Sequence, residues 1–144
     1  MIEIKDYIPH RYPFLFIDKI LFYKKYKNIL ILKNVTCSEK YFQGHFIEKN
    51  IVPGILIIET MAQTSGLLAN ISLEKKNKKP NFYLTSIENA KFKKIIVPGD
   101  QIYIESKILN IKNKIWKFQC QSFVDGKLTC KSKISCIENY DICR

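Results

Sequence analysis

The chain has 144 residues, 47% of them apolar and 26% charged, a length and mix that suit one compact domain over residues 1–144 and exclude a disordered or low-complexity chain. Its formal charge of +11 would draw nucleic acid, an anionic membrane or an acidic protein without choosing among them. The lysines are scattered, with clusters at Lys24-Lys25-Tyr26-Lys27 and Lys75-Lys76-Asn77-Lys78-Lys79 that read first as solvated loops.

The N-terminus runs straight into Ile2, Ile4, Tyr7 and Ile8 without the tripartite pattern of a signal peptide. Cys37, Cys120, Cys130, Cys136 and Cys143 are odd in number and form no C-x-x-C pair, so neither a disulfide framework nor a zinc site is indicated. Reduced thiols in a cytoplasm fit this best. A plastid-type organelle would require a transit segment that has been removed.

In chain order, Ile29 to Val35 reads as the first strand. Val52-Pro53-Gly54 then breaks the chain ahead of a long helix that ends near Leu73. The segment from Ile55 to Leu73 is apolar enough to raise the question of a membrane span, but Glu59, Gln63 and Asn70 argue against one. With Glu59 its only charged residue, the helix lacks the polar face of a surface helix and should be covered nearly all round. Small residues at Ala62, Ser65, Gly66 and Ala69 would let another layer approach closely.

Three or four antiparallel strands follow. Ile102, Ile104, Ser106 and Ile108 alternate with polar neighbours, as do Trp116, Phe118, Cys120, Ser122 and Val124. Asp125-Gly126 marks a hairpin, after which Leu128, Cys130, Ser132, Ile134 and Cys136 share one face. One long apolar helix beside a run of antiparallel strands defines an α+β domain in which the sheet wraps the helix. A sheet of that size has exposed edges, so a homo-oligomer that continues it is expected.

Two histidines limit the search for a base near neutral pH. His45 is the stronger candidate, because it lies in Gln43-Gly44-His45-Phe46, between a strand and the helix start. His10 is the weaker. Glu59 is costly to bury and must be paired, hydrogen-bonded or held protonated, and in the last case it is a proton donor. Gln63, one turn on, could hold it or a water in place. The free N–H groups near Gly54 complete the set, because a helix N-terminus suits an oxygen that gains negative charge. A base, an acid and an oxyanion site together provide what elimination of water from a 3-hydroxy thioester needs.

The same residues form blocks. His10-Arg11-Tyr12-Pro13-Phe14-Leu15, Asn34-Val35-Thr36, Phe42-Gln43-Gly44-His45-Phe46, Pro53-Gly54-Ile55-Leu56-Ile57-Ile58-Glu59, Ala62-Gln63, Ala90-Lys91-Phe92-Lys93 and Val97-Pro98-Gly99-Asp100-Gln101 together resemble the bacterial and plastid 3-hydroxyacyl-acyl carrier protein dehydratases of the hot-dog fold. The resemblance implies a central helix wrapped by a curved antiparallel sheet, a homodimer that assembles as a trimer of dimers, and no metal or organic cofactor. It implies that His45 and Glu59 are the catalytic pair, supplied by different subunits, and that the Gly54 amide contacts the thioester carbonyl. Phe46, Gln63 and Tyr83 are expected at the substrate, Tyr83 at the acyl tunnel, and an acyl carrier protein bearing the 3-hydroxyacyl group is the expected partner.

The chain departs from the family at Ile47 and Asn50, where proline is usual, and at Val52, Thr60 and Ser86. Losing two prolines should loosen the loop after His45. A sister group that also isomerises the double bond usually has Asp at the position of Glu59, which favours dehydration alone here. A hot-dog thioesterase and a non-catalytic acyl-binding regulator that grips DNA are the other rivals. Neither a helix-turn-helix nor an appended basic domain is visible, so no nucleic-acid partner is expected.

Overall fold

The computed structural model describes residues 1–77 and 82–138. Among them lie one α-helix, α1 (Gly54–Ser72), and six strands: β1 (Lys19–Lys24), β2 (Asn28–Asn34), β3 (Phe82–Phe92), β4 (Gln101–Lys112), β5 (Ile115–Val124) and β6 (Lys127–Glu138). Short 3-10 turns occupy Ile4–Asp6 and Lys40–Gln43. The strands form one antiparallel sheet in the order β1-β2-β4-β5-β6-β3.

The alternation read in β4 and β5 is the alternation of burial: Ile102, Ile104 and Ser106, then Trp116, Phe118, Cys120 and Ser122, face the core. Asp125 and Gly126 both take positive φ, 51° and 74°, as the tight hairpin between β5 and β6 requires. Register brings Ile29, Ser106, Cys120 and Ser132 into one buried row across β2, β4, β5 and β6.

That row has small members where α1 crosses it. Ser65 Oγ lies 2.7 Å from Ser106 Oγ and 3.4 Å from Cys120 Sγ, and donates to the Met61 carbonyl at 2.8 Å. From Thr60 to Ser72 the helix is buried apart from half-buried Ala62, while Ile55 in its first turn is exposed. The helix is therefore covered along its C-terminal two-thirds and open where it begins.

The sequence reading places one strand before the helix, whereas the structure has two. β1 escapes the pattern search because it is an edge strand, exposed at nearly every position, so no period of two marks it. β3 is the other edge. Two register shifts interrupt its pairing with β6, and Tyr83, Leu84, Ile87 and Phe92 are exposed.

Candidate active site

The loop carrying His45 is tied to itself. The Gly44 and His45 amides both donate to the Tyr41 carbonyl (3.3 and 3.1 Å), Phe46 N–H donates to Lys49 O at 2.9 Å, and Ile51 N–H donates to His45 O at 3.1 Å. Val52 N–H donates to Ile96 O, anchoring the loop to the segment before β4. These bonds hold a loop that lacks the two family prolines.

His45 Nδ1 lies 2.8 Å from the Ile51 carbonyl oxygen. A carbonyl can only accept, so Nδ1 carries the proton and, in the neutral ring, Nε2 carries the lone pair. Phe46 stacks on the imidazole with ring centroids 4.0 Å apart. Half-buried His45 thus presents Nε2 as its basic atom.

Glu59, 24% exposed, is held from one side. Gln63 Nε2 donates to Glu59 Oε1 at 3.1 Å and to Phe14 O at 2.8 Å, while Gln63 Oε1 accepts from Phe16 N–H at 2.9 Å. The two main-chain bonds fix which end of the amide is nitrogen, and they strap residues 14–16 onto α1. Because Oε1 accepts from Gln63, Oε2 is the oxygen left for other chemistry. Of the two partners the sequence leaves open for Gln63, Glu59 or a water, the structure shows contact with Glu59.

His10 Nε2 also faces Glu59 Oε1, at 3.5 Å. Burial holds the His10 ring below the usual histidine pKa of 6.5, with Glu59 opposing the shift and Arg11 adding to it. The sequence favours His45 over His10 as the base and offers no contact between His10 and Glu59. The only signal for His10 was its place in the first sequence block. The Ile51 carbonyl could not have been found at all, because a main-chain acceptor leaves no trace in residue type.

Gly54 opens α1 after Pro53, with no side-chain cap and no acidic residue in the first turn. Its amide and that of Ile55 precede any carbonyl that could accept them within the helix. A Cβ at position 54 would lie 2.8 Å from Phe92 Cε1, so a larger residue there would have to displace the exposed Phe92 ring. Tyr83 is exposed on β3.

The candidates fall into two groups within one chain. Glu59, Gln63 and His10 form one, His45 and Phe46 the other, and among the described residues no hydrogen bond or ion pair joins His45 to Glu59. A hollow of about 390 Å³ bounded by Tyr12, Phe14, Tyr41 and Leu56 is lined by none of His45, Gly54, Glu59 or Tyr83. Among the described residues, no group of side chains is arranged to hold a metal ion, and no helix is long and apolar enough to cross a membrane.

Three of the five described lysines in the two clusters are paired with carboxylates. Lys25 pairs with Glu74 at 2.7 Å, Lys76 with Asp6 at 3.1 Å, and Lys75 with Glu138. Lys78 and Lys79 lie outside the described residues. Lys91, Lys131 and Lys133 instead share the rim of a hollow of about 360 Å³ on the sheet, and no ion pair among the described residues reaches them.

A lone helix carboxylate, an imidazole with one nitrogen held by a carbonyl, and an open helix N-terminus, set on one helix against a six-stranded antiparallel sheet, define the class. The chain belongs to the FabA-like domain family, whose model matches residues 8–133, and its fold is the hot-dog fold. It is 42% identical over 137 residues to the 3-hydroxyacyl-[acyl-carrier-protein] dehydratase FabZ of Coxiella burnetii, covering 94% of this chain and 96% of that protein. It is 46% identical over 132 residues to the protein of the same name from Buchnera aphidicola subsp. Schizaphis graminum, covering 92% and 87%. Among solved structures, the dehydratase heterocomplex ApeI:P of Xenorhabdus doucetiae superposes with a TM-score of 0.82 at 14% identity, over 98% of this chain and 93% of that one. A hypothetical thioesterase of Streptococcus pneumoniae with coenzyme A scores 0.65 at 13% identity, over 84% of each chain, which shows a shared fold alone.

Proposed function

We infer that the chain is a 3-hydroxyacyl-acyl carrier protein dehydratase, removing water from (3R)-3-hydroxyacyl groups to leave the trans-2-enoyl thioester of fatty acid synthesis. The observation that carries this is the asymmetric hold on Glu59, with Oε1 engaged by Gln63 and Oε2 left free, in a chain 42–46% identical to curated dehydratases.

His45 Nε2 takes the proton from C2 of the thioester. The negative charge that moves onto the thioester oxygen is met by the Gly54 amide at the start of α1. Glu59 Oε2 delivers its proton to the 3-hydroxyl as the C3–O bond breaks, so water leaves and the C2–C3 double bond forms. The imidazolium and the carboxylate then exchange one proton through solvent, which resets both groups. Phe46 and Tyr83 contact the acyl group, and no metal or organic cofactor takes part.

The two halves of the site come from different subunits of a homodimer. Phe46, Ile47, Ile55, Tyr83 and Ile87 are exposed apolar side chains that a second copy would cover, and β3 offers an edge to pair with its counterpart. Three such dimers complete the assembly. The acidic carrier protein docks from the cytoplasm on Lys91, Lys131 and Lys133, which no ion pair among the described residues reaches.

Product analysis with a ten-carbon 3-hydroxyacyl carrier protein tests the reading. Dehydration alone yields a trans-2-enoyl product lighter by one water. A cis-3 product would assign additional isomerase activity, and free carrier-protein thiol would make the chain a thioesterase.

A further inference from the structure

Among the described residues, two buried polar side-chain atoms meet no hydrogen-bonding partner: His10 Nδ1 and Asn70 Oδ1. Both belong to residues lining one cavity of about 20 Å³, with Ile8, Gln63, Gly66 and Phe82 as further walls. The amide of Asn70 cannot be turned to relieve its oxygen, because Nδ2 donates to the Tyr7 carbonyl at 2.7 Å. Asn70 is 2% exposed, so bulk solvent does not reach it. Roughly 10–15 Å³ is enough for one water, provided that polar partners surround it.

We propose that this cavity is the site of one tightly held water that donates one proton to Asn70 Oδ1 and the other to His10 Nδ1, and that His10, fixed in this way, is a positioning residue for Glu59. Two orphan acceptors match the two donors of a single water. With Nδ1 accepting, the ring proton resides on Nε2, the atom 3.5 Å from Glu59 Oε1. The water could serve either tautomer at Nδ1, but the other one would set the Nε2 lone pair against Oε1, so the facing carboxylate oxygen selects the Nε2–H form. Burial favours the neutral ring that the arrangement needs.

The consequence for chemistry rests on the reading of Glu59 as the acid. When Oε2 gives up its proton, the charge that spreads to Oε1 meets two N–H donors, Gln63 and His10, already in place. The water thus acts at one remove, by giving Nδ1 a donor when the His10 proton is on the side facing the carboxylate.

The chain has only two histidines, so nitrogen-15 NMR of histidine-labelled protein resolves both rings, with a His45→Ala sample to assign them. At neutral pH His10 is expected as the neutral Nε2–H tautomer and His45 as Nδ1–H, opposite forms in one protein. Gly66→Ala narrows the cavity without a clash, since its Cβ would come no nearer than 3.9 Å to Phe82 Cβ. Asn70→Leu removes one acceptor.

Each variant should weaken the His10 tautomer preference and lose about fivefold in kcat, the scale of one hydrogen bond, with KM unchanged. In a Glu59→Gln background Gly66→Ala should cost nothing more. If Asn70→Leu fails to fold, Gly66→Ala carries the test. A wild-type His10 protonated on Nδ1 or charged at neutral pH overturns the proposal, as does a Gly66→Ala protein with unchanged spectrum and kcat. Glu59→Gln retaining full turnover would instead defeat the reading of Glu59, while the His10 spectrum still decides the water site.

Discussion

Glu59 and His45 are each held by a neighbour that engages one of their two polar side-chain atoms. Gln63 takes Oε1 and the Ile51 carbonyl takes Nδ1–H, which leaves a single oxygen and a single nitrogen for the chemistry proposed. On this account His45→Ala or Glu59→Gln leaves the fold intact and lowers kcat by at least ~10²-fold, the usual scale for a lost acid or base. His10→Ala should be far milder, because on this account the ring acts only through the carboxylate it faces. Steady-state kinetics on folded variants checks the ranking, and near-normal turnover in either of the first two would remove that residue from the mechanism.

His10 also makes stability depend on pH. Its folded-state pKa is lowered below 6.5 by burial, so the unfolded chain binds a proton that the folded chain resists. The ring's contribution is fully present above pH 6.5 and is lost as the pH falls from there towards the folded value. Melting temperatures measured between pH 7.5 and 5 should therefore fall, and His10→Gln, which does not titrate, should flatten the slope. An unchanged slope would mean that other groups set it.

At the scale of elements, the helix was legible almost to the residue: Ile55 to Leu73 was expected and Gly54–Ser72 is found. Punctuation by Val52-Pro53-Gly54 and a run with one charge leave little else for that segment to be. The core strands were legible because burial on one face imposes a period of two on β4, β5 and β6. The edges were not, since β1 and β3 face nothing within the chain that would select alternating residues. Small residues on α1 were read as permitting close approach, and Ser65 seated on Ser106 and Cys120 gives that reading its mechanism. Ser65→Leu should overpack this contact and destabilise the fold by about 1–3 kcal/mol, measurable by urea unfolding. A loss below ~0.5 kcal/mol would show that the layer has room to spare.

For the whole molecule, the features left unexplained within one chain are those that a second copy would complete. The N-terminal turn of α1, the His45 loop and β3 all expose apolar side chains, and no hydrogen bond or ion pair among the described residues joins the two candidate groups. Sequence alone left a site within one chain open, because residue spacing says nothing about which copy supplies the partner; the shared site came from the family resemblance.

Mixing inactive variants tests the central claim most directly. His45→Ala and Glu59→Gln proteins should each be dead alone. Unfolded together and refolded as an equal mixture, they pair at random, and about half the dimers carry one of each. If His45 and Glu59 come from different subunits, every mixed dimer has one site with both defects and one with neither, and about a quarter of wild-type activity returns. No recovery, in a sample shown to contain mixed dimers, would contradict the shared site.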